Sequence, residues 1–98
     1  PMTHDALTPD VHHDPDARRL HTRVEGHEAE LRYSLRGGRM VIDHTGVPDA
    51  IGGRGIAGIL VKAALDLARA RGWRVVPACS YSAAYVQRHP EYADLIEG

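Results

Sequence analysis

The sequence has no phenylalanine, and only one tryptophan and one cysteine among 98 residues. With aromatics at 5%, the core must be built from Leu, Ile, Val and Ala. The single Cys79 excludes an intramolecular disulfide, and a reducing, cytoplasmic setting is expected. No apolar run reaches the length of a membrane-crossing helix, and no signal-peptide pattern opens the chain, so no membrane partner is expected. Met2 reads as the native start, with Pro1 an addition before it. Charge of either sign is not in surplus: 12 Lys and Arg stand against 13 Asp and Glu. That balance excludes a general nucleic-acid binder, which needs a basic excess. It leaves room for an anionic ligand, because a helix N-terminus binds one without global charge. At this length a single domain is expected, near the lower limit for folding without staples. A homo-oligomer would add core, although no interface stripe is identifiable.

Residues 1–16 read as a solvated, disordered tail. Three prolines, four Asp and three His fall in or beside it with no apolar period. From Ala17 onward the chain reads as one compact domain, 17–98. Leu20, Thr22 and Val24 alternate with Arg19, His21 and Arg23, which predicts a strand ended by Gly26. Ala29, Leu31, Tyr33 and Leu35 alternate with charged and polar neighbours, a half-buried antiparallel strand. Gly37-Gly38 predicts a two-residue primed turn. That turn sets Arg36 opposite Arg39, Leu35 opposite Met40, Tyr33 opposite Ile42 and Leu31 opposite His44. Arg32 then pairs with Asp43 on the other face, and His44 ends the apolar row.

A helix is expected from Gly55 to about Arg71, with Ile56, Ile59, Leu60, Ala63, Ala64 and Leu67 on its apolar stripe. Gly72 ends it. Trp73–Pro77 reads as a short strand reached by a right-handed crossover, hence parallel to the strand before the helix. Ser80 to about Arg88 is a second helix with Ser80 or Ser82 as N-cap, stopped by His89-Pro90. The expected fold is therefore α/β, an antiparallel β-meander followed by a β-α-β crossover and a C-terminal helix.

The segment Gly52-Gly53-Arg54-Gly55-Ile56-Ala57 lies between a strand and a helix N-terminus. The first helical N–H groups have no intrahelical partner. Glycines let an anion approach the backbone, and the helix dipole favours its charge. A diphosphate suits such a site. The same glycines also suit a plain tight turn. No Gly-Lys-Ser/Thr follows, which removes the Walker A reading. No acidic residue ends the next strand, which disfavours a dinucleotide-binding turn.

With these residues in view, the stretch from His44 to Leu67 resembles the GCN5-related N-acetyltransferases (GNAT). In that family a strand leads into Gln/Arg-x-x-Gly-x-Gly/Ala and a long helix. Gly52, Gly55 and Ala57 occupy that pattern, with Gly52 replacing its first side chain and Arg54 supplying charge. His44-Thr45-x-Val47-Pro48, Pro77-x-Cys79-x-Tyr81-x-x-x-Tyr85 and Arg88-His89-Pro90-Glu91 are similar to the compact YjdJ-like or NATD1-like subgroup. Ser80 and Ser82 depart from it. The resemblance implies a minimal GNAT fold that binds acetyl-CoA or CoA. Backbone near Thr45 and Val47 would meet the pantetheine, and Gly52, Gly53, Arg54, Gly55, Ile56 and Ala57 the pyrophosphate. It also implies acetyl transfer to an amine, on a small molecule or a protein.

Four side chains are candidates for that chemistry. Cys79, before a helix, is either an activated thiol that takes the acetyl group or an inert buried residue. Tyr81 and Tyr85 share a helix face, and the resemblance makes Tyr85 first and Tyr81 second as proton donor to the departing thiolate. Both also fit as packing aromatics. His44 is either a general base or a structural histidine. No metal site is expected. The alternatives to an enzyme are a CoA-binding module with little activity and a plain interaction domain.

Overall fold

The computed structural model describes residues 9–97. Its elements are β1 (His12–Asp14), β2 (Arg19–Val24), β3 (His27–Arg36), β4 (Arg39–Gly46), α1 (Ile56–Arg71), β5 (Arg74–Pro77) and α2 (Ser80–Arg88). Short 3-10 segments at Asp49–Ile51 and Pro90–Leu95 complete the chain. The sheet order is β1-β2-β3-β4-β5. The first four strands are antiparallel neighbours and β5 runs parallel to β4, as the crossover required.

The β3–β4 hairpin follows the expected register from its turn inward. Gly37 and Gly38 take φ of 57° and 81°, and Tyr33 lies opposite Ile42. Beyond that pair the register slips by one residue. Arg32 pairs with His44 and Leu31 with Thr45, so Asp43 is the extra residue of a β-bulge. The expected Leu31–His44 and Arg32–Asp43 pairs are therefore absent. Arg32 instead bonds Glu30 at 3.0 Å, and Asp43 accepts from Ser34 Oγ. His44 is exposed, and Thr45 takes its place beside Leu31.

The tail reading also needs correction at its inner end. Residues 1–8 lie outside the described residues, but His12–Asp14 pairs with Arg19–His21 as an edge strand. Tertiary hydrogen bonds hold it. His13 Nε2 lies 2.6 Å from the Tyr33 hydroxyl, and the buried Thr22 hydroxyl donates to the Asp10 carbonyl at 2.6 Å. A three-residue strand has no period for a sequence pattern to show.

Helix α1 lies across the sheet and contacts β2, β3, β4 and β5. Its buried face is Ile56, Leu60, Val61, Ala64, Leu65 and Ala68. This stripe is rotated from the expected one, with Val61 and Leu65 inside and Ile59, Ala63 and Leu67 only half-buried. The sequence contains apolar residues on more than one side of the helix, and the sheet selects which go inside. Gly72 ends α1 in the left-handed conformation (φ 72°), its N–H returning to Ala68 and Arg69 carbonyls. The core joins the α1 face to Leu20, Ala29, Leu31, Tyr33, Met40, Ile42 and Val75. Polar alternates on β2 and β3 form ion pairs, with Arg19 reaching both Glu28 and Glu30.

Helix α2 contacts β4, β5 and α1. Its N-cap is Cys79, and neither Ser80 nor Ser82 caps it. Sulfur takes this role because it sits in extended backbone, φ −88° and ψ 150°, with Sγ within reach of the Ser82 N–H. On the outer side of β5, Ile96 bridges Val75 and the Glu97 N–H donates to the Val75 carbonyl at 2.8 Å.

Candidate functional site

The site forms where β4 and β5 part. The two strands pair from Arg39 and Arg74 up to Ile42 and Pro77. The Ile42 carbonyl then accepts from both the Ala78 and Cys79 N–H groups at 3.1 Å. There the pairing ends, one residue before the Asp43 bulge of β4. Beyond it β4 runs on to Gly46, and the chain then turns into α1.

That turn is built for close approach. Gly53 and Gly55 both have φ of 76°, conformations that L side chains rarely adopt. Gly55 is the N-cap of α1 and offers no side-chain acceptor. The first bond into the helix runs from the Ile59 N–H to the Gly55 carbonyl. Among the described residues, no acceptor takes the N–H groups of Ile56, Ala57 or Gly58. Three donors at the positive end of a 16-residue helix thus point outward without a partner.

Beside them is a concavity of about 250 Å³ lined by Val47, Ile51, Gly52, Gly53, Gly55, Ile56, Ala57 and Tyr81. Six of these residues were expected at a cofactor site, and Tyr81 was expected as a catalytic residue. Ile51 was not anticipated. Its signal was present as an apolar residue immediately before the glycines, and the Asp49–Ile51 turn buries it fully. Tyr81 is the ionisable side chain of this lining, 41% exposed. Its hydroxyl lies over the first turn of α1, where a Cβ added to Gly58 would meet it at 3.2 Å.

The other candidates are placed around this concavity. Thr45 Oγ1 and Cys79 Sγ lie 3.6 Å apart and join the end of β4 to the residue that caps α2. Cys79 Sγ is 3.1 Å from Ser82 Oγ and accepts the Ser82 N–H at 3.4 Å. Burial pushes the thiol up, but hydrogen bonds with Ser82, Thr45 and the Tyr81 backbone outweigh it and hold the thiol below its ordinary value. From the sequence Ser82 was a candidate N-cap; the structure instead makes it the residue whose N–H the Cys79 cap accepts.

Tyr85 lies outside the lining, half-buried and stacked on His89 with ring centroids 3.8 Å apart. The His89 Nδ1–H donates to the Tyr85 carbonyl at 2.8 Å, which leaves Nε2 as the free nitrogen. Burial pushes the Tyr85 phenol up. His44 is exposed and its ring lies over Gly46, where an added Cβ would come within 2.8 Å of Nε2. Arg54 does not face the lining; its guanidinium holds Glu25 at 2.9 Å. Among the described residues no group of three metal-ligating side chains converges. No helix there is long and apolar enough to cross a membrane.

A parallel strand pair joined by a glycine turn and a long helix with free N-terminal amides is an architecture that suits an anionic ligand. Comparison with known proteins agrees. The family model described as GCN5-related N-acetyl-transferase matches residues 19–95, and the chain belongs to that family. As a family these proteins use acetyl-CoA. Among curated proteins, the chain is similar to Protein NATD1 of Mus musculus. The two are 42% identical over 83 residues, covering 82% of this chain and 76% of that one. Protein NATD1 of Homo sapiens is 42% identical with 82% and 74% covered, and that of Danio rerio 35% identical with 88% and 83% covered. In fold, the chain matches the NMR structure of a GCN5-like protein from Staphylococcus aureus. The TM-score is 0.73 at 24% identity, over 93% of this chain and 90% of that one.

Proposed function

We propose that the protein binds acetyl-CoA in the gap between β4 and β5 and transfers its acetyl group to an amine, of a small molecule or of a protein. The observation that carries this reading is the set of unpartnered amides of Ile56, Ala57 and Gly58 beside the apolar wall of Val47, Ile51 and Ile56. A diphosphate needs the first and a pantetheine arm the second. When bound, acetyl-CoA supplies an activated thioester carbonyl.

The chain's own residues divide the remaining work. The turn amides hold the anion and fix the arm along β4. Thr45 and Cys79 flank the gap where the thioester would lie. A Cys79 thiolate attacks the carbonyl carbon, the donor carbon–sulfur bond breaks, and the leaving thiolate takes a proton. Tyr81, with its phenol on the concavity, is the proton donor on this reading, and Tyr85 packs behind it. An amine nitrogen then attacks the cysteine thioester, loses a proton and leaves Cys79 free. Direct attack by the amine on acetyl-CoA reaches the same product without the cysteine step. A cytoplasmic setting, where Cys79 stays reduced, belongs to this proposal.

A second reading is a CoA-binding module with little activity. It is favoured by the lining itself, in which Tyr81 is the ionisable group. Calorimetric titration with acetyl-CoA and CoA tests binding, and mass measurement of protein and amine after mixing tests transfer. Saturable binding with acetylated amine supports the enzyme. Binding without any acetyl transfer selects the module, and no binding by the folded protein overturns both. Acetyl on the wild-type protein that persists in Cys79→Ala removes the cysteine step.

A further inference from the structure

We infer that Glu25 competes with bound phosphate for Arg54, so that the Glu25–Arg54 ion pair sets how tightly the glycine turn holds its anion. This rests on the acetyl-CoA reading above. Arg54 is the only cation between Asp49 and Gly58, and it sits between the two positive-φ glycines of the turn. Its Nη2 donates to Glu25 Oε1 at 2.9 Å, which neutralises the local charge at the rim of the concavity.

The position of Glu25 is itself informative. Val24 pairs with His27, so Glu25 and Gly26 form a two-residue hairpin turn. Their φ values of 50° and 79° are those of a primed turn. Gly, Asn or Asp fill the first position of such a turn at least cost, and a glutamate there is uncommon. Its longer side chain reaches the neighbouring turn. An unfavourable backbone choice that delivers a carboxylate to the cation of an anion site points to a role for that carboxylate.

The exchange needs no covalent step. Arg54 gives up one carboxylate oxygen and gains a phosphate oxygen of the ligand. Both partners are exposed, with side chains 45% and 65% accessible, so the pair is weak and readily exchanged. Removing the carboxylate should therefore tighten CoA binding modestly, by about two- to fivefold.

The test is calorimetric titration of CoA into wild type, Glu25→Gln, Arg54→Ala and the double variant, with melting temperature followed alongside. Glu25→Gln is expected to tighten binding two- to fivefold, Arg54→Ala to weaken it, and Glu25→Gln to add nothing in the Arg54→Ala background. Glu25→Asn, which suits the turn better, is expected to melt no lower than wild type and to tighten binding likewise. Wild-type binding that neither Glu25 variant improves overturns the inference and leaves the proposed function standing. Equal tightening in the Arg54→Ala background also overturns it, because Glu25 then acts as a distant charge. No CoA binding by the folded wild type refutes the proposed function first and this inference with it.

Discussion

Replacing Ala57 with glutamate separates folding from anion binding at this site. Ala57 is in the first turn of α1 and lines the concavity, and the first turn carries no acidic residue. A carboxylate there complements the helix dipole and stabilises by about 0.3–1 kcal/mol. In a domain of this size that is a rise of roughly 1–8 °C in melting temperature. The same carboxylate would stand within about 5 Å of a phosphate on the free amides. At an effective dielectric of about 20, two unit charges at that distance repel by about 3 kcal/mol. That is a loss of roughly two orders of magnitude in affinity. Thermal melts and calorimetric titration with CoA measure the two effects on one sample. A variant that melts at or above wild type yet binds CoA as tightly would refute the placement of the phosphates on the α1 amides.

Three further outcomes are expected. The pH profile of Cys79 alkylation by iodoacetamide should rise at lower pH than an ordinary thiol (~8.5), and Ser82→Ala should move it back up by removing the hydroxyl that lies 3.1 Å from the sulfur. Gly58→Ala gains about 0.5–1 kcal/mol of helix propensity but crowds the Tyr81 hydroxyl at 3.2 Å. The melting temperature should hold or rise, because the exposed ring can swing away, while acetyl transfer falls; a lower melting temperature would show that the tyrosines cannot yield. Burial pushes the Asp66 carboxyl up, but hydrogen bonds from Lys62 and the Tyr92 hydroxyl outweigh it and hold the carboxyl below its ordinary value. Its folded value lies under its unfolded one, so the stabilisation is present at neutral pH and is lost as pH falls from ~3.9 through the lowered value. Melts of wild type and Asp66→Asn should differ at pH 7 and converge in acid.

The hairpin, the long helix and the parallel strand were legible because each rests on local signals. Two adjacent glycines fixed the β3–β4 register near the turn, and a spacing of three and four marked α1. The bulge at Asp43 was not legible, since a period of two carries no sign of one inserted residue. That residue displaced His44 from the apolar row and set Thr45 opposite Leu31, so one inserted residue moved two candidate side chains. The seven concavity residues that were anticipated came from the glycine turn and from the resemblance, both visible in the chain. Ile51 and Glu25 were not singled out because their placement depends on contacts across separate elements, and Ser82 was read only as a possible N-cap. The cap of α2 was misassigned for a similar reason: serine is the commoner cap, but the backbone placed the sulfur of Cys79 at the helix end.

The C-terminal segment beside β5 has a consequence for association. With Ile96 and Glu97 bonded along Val75, part of that border of the sheet is already occupied by the chain itself. The opposite border, β1, is three residues long in the described region. A long bare strand edge is the usual template for one chain to recruit another, and these two borders offer little of it among the described residues. Pairing of copies through these borders would have to displace Ile96 and Glu97 or make do with three residues, so proline placed in either border strand is expected to leave any self-association unchanged.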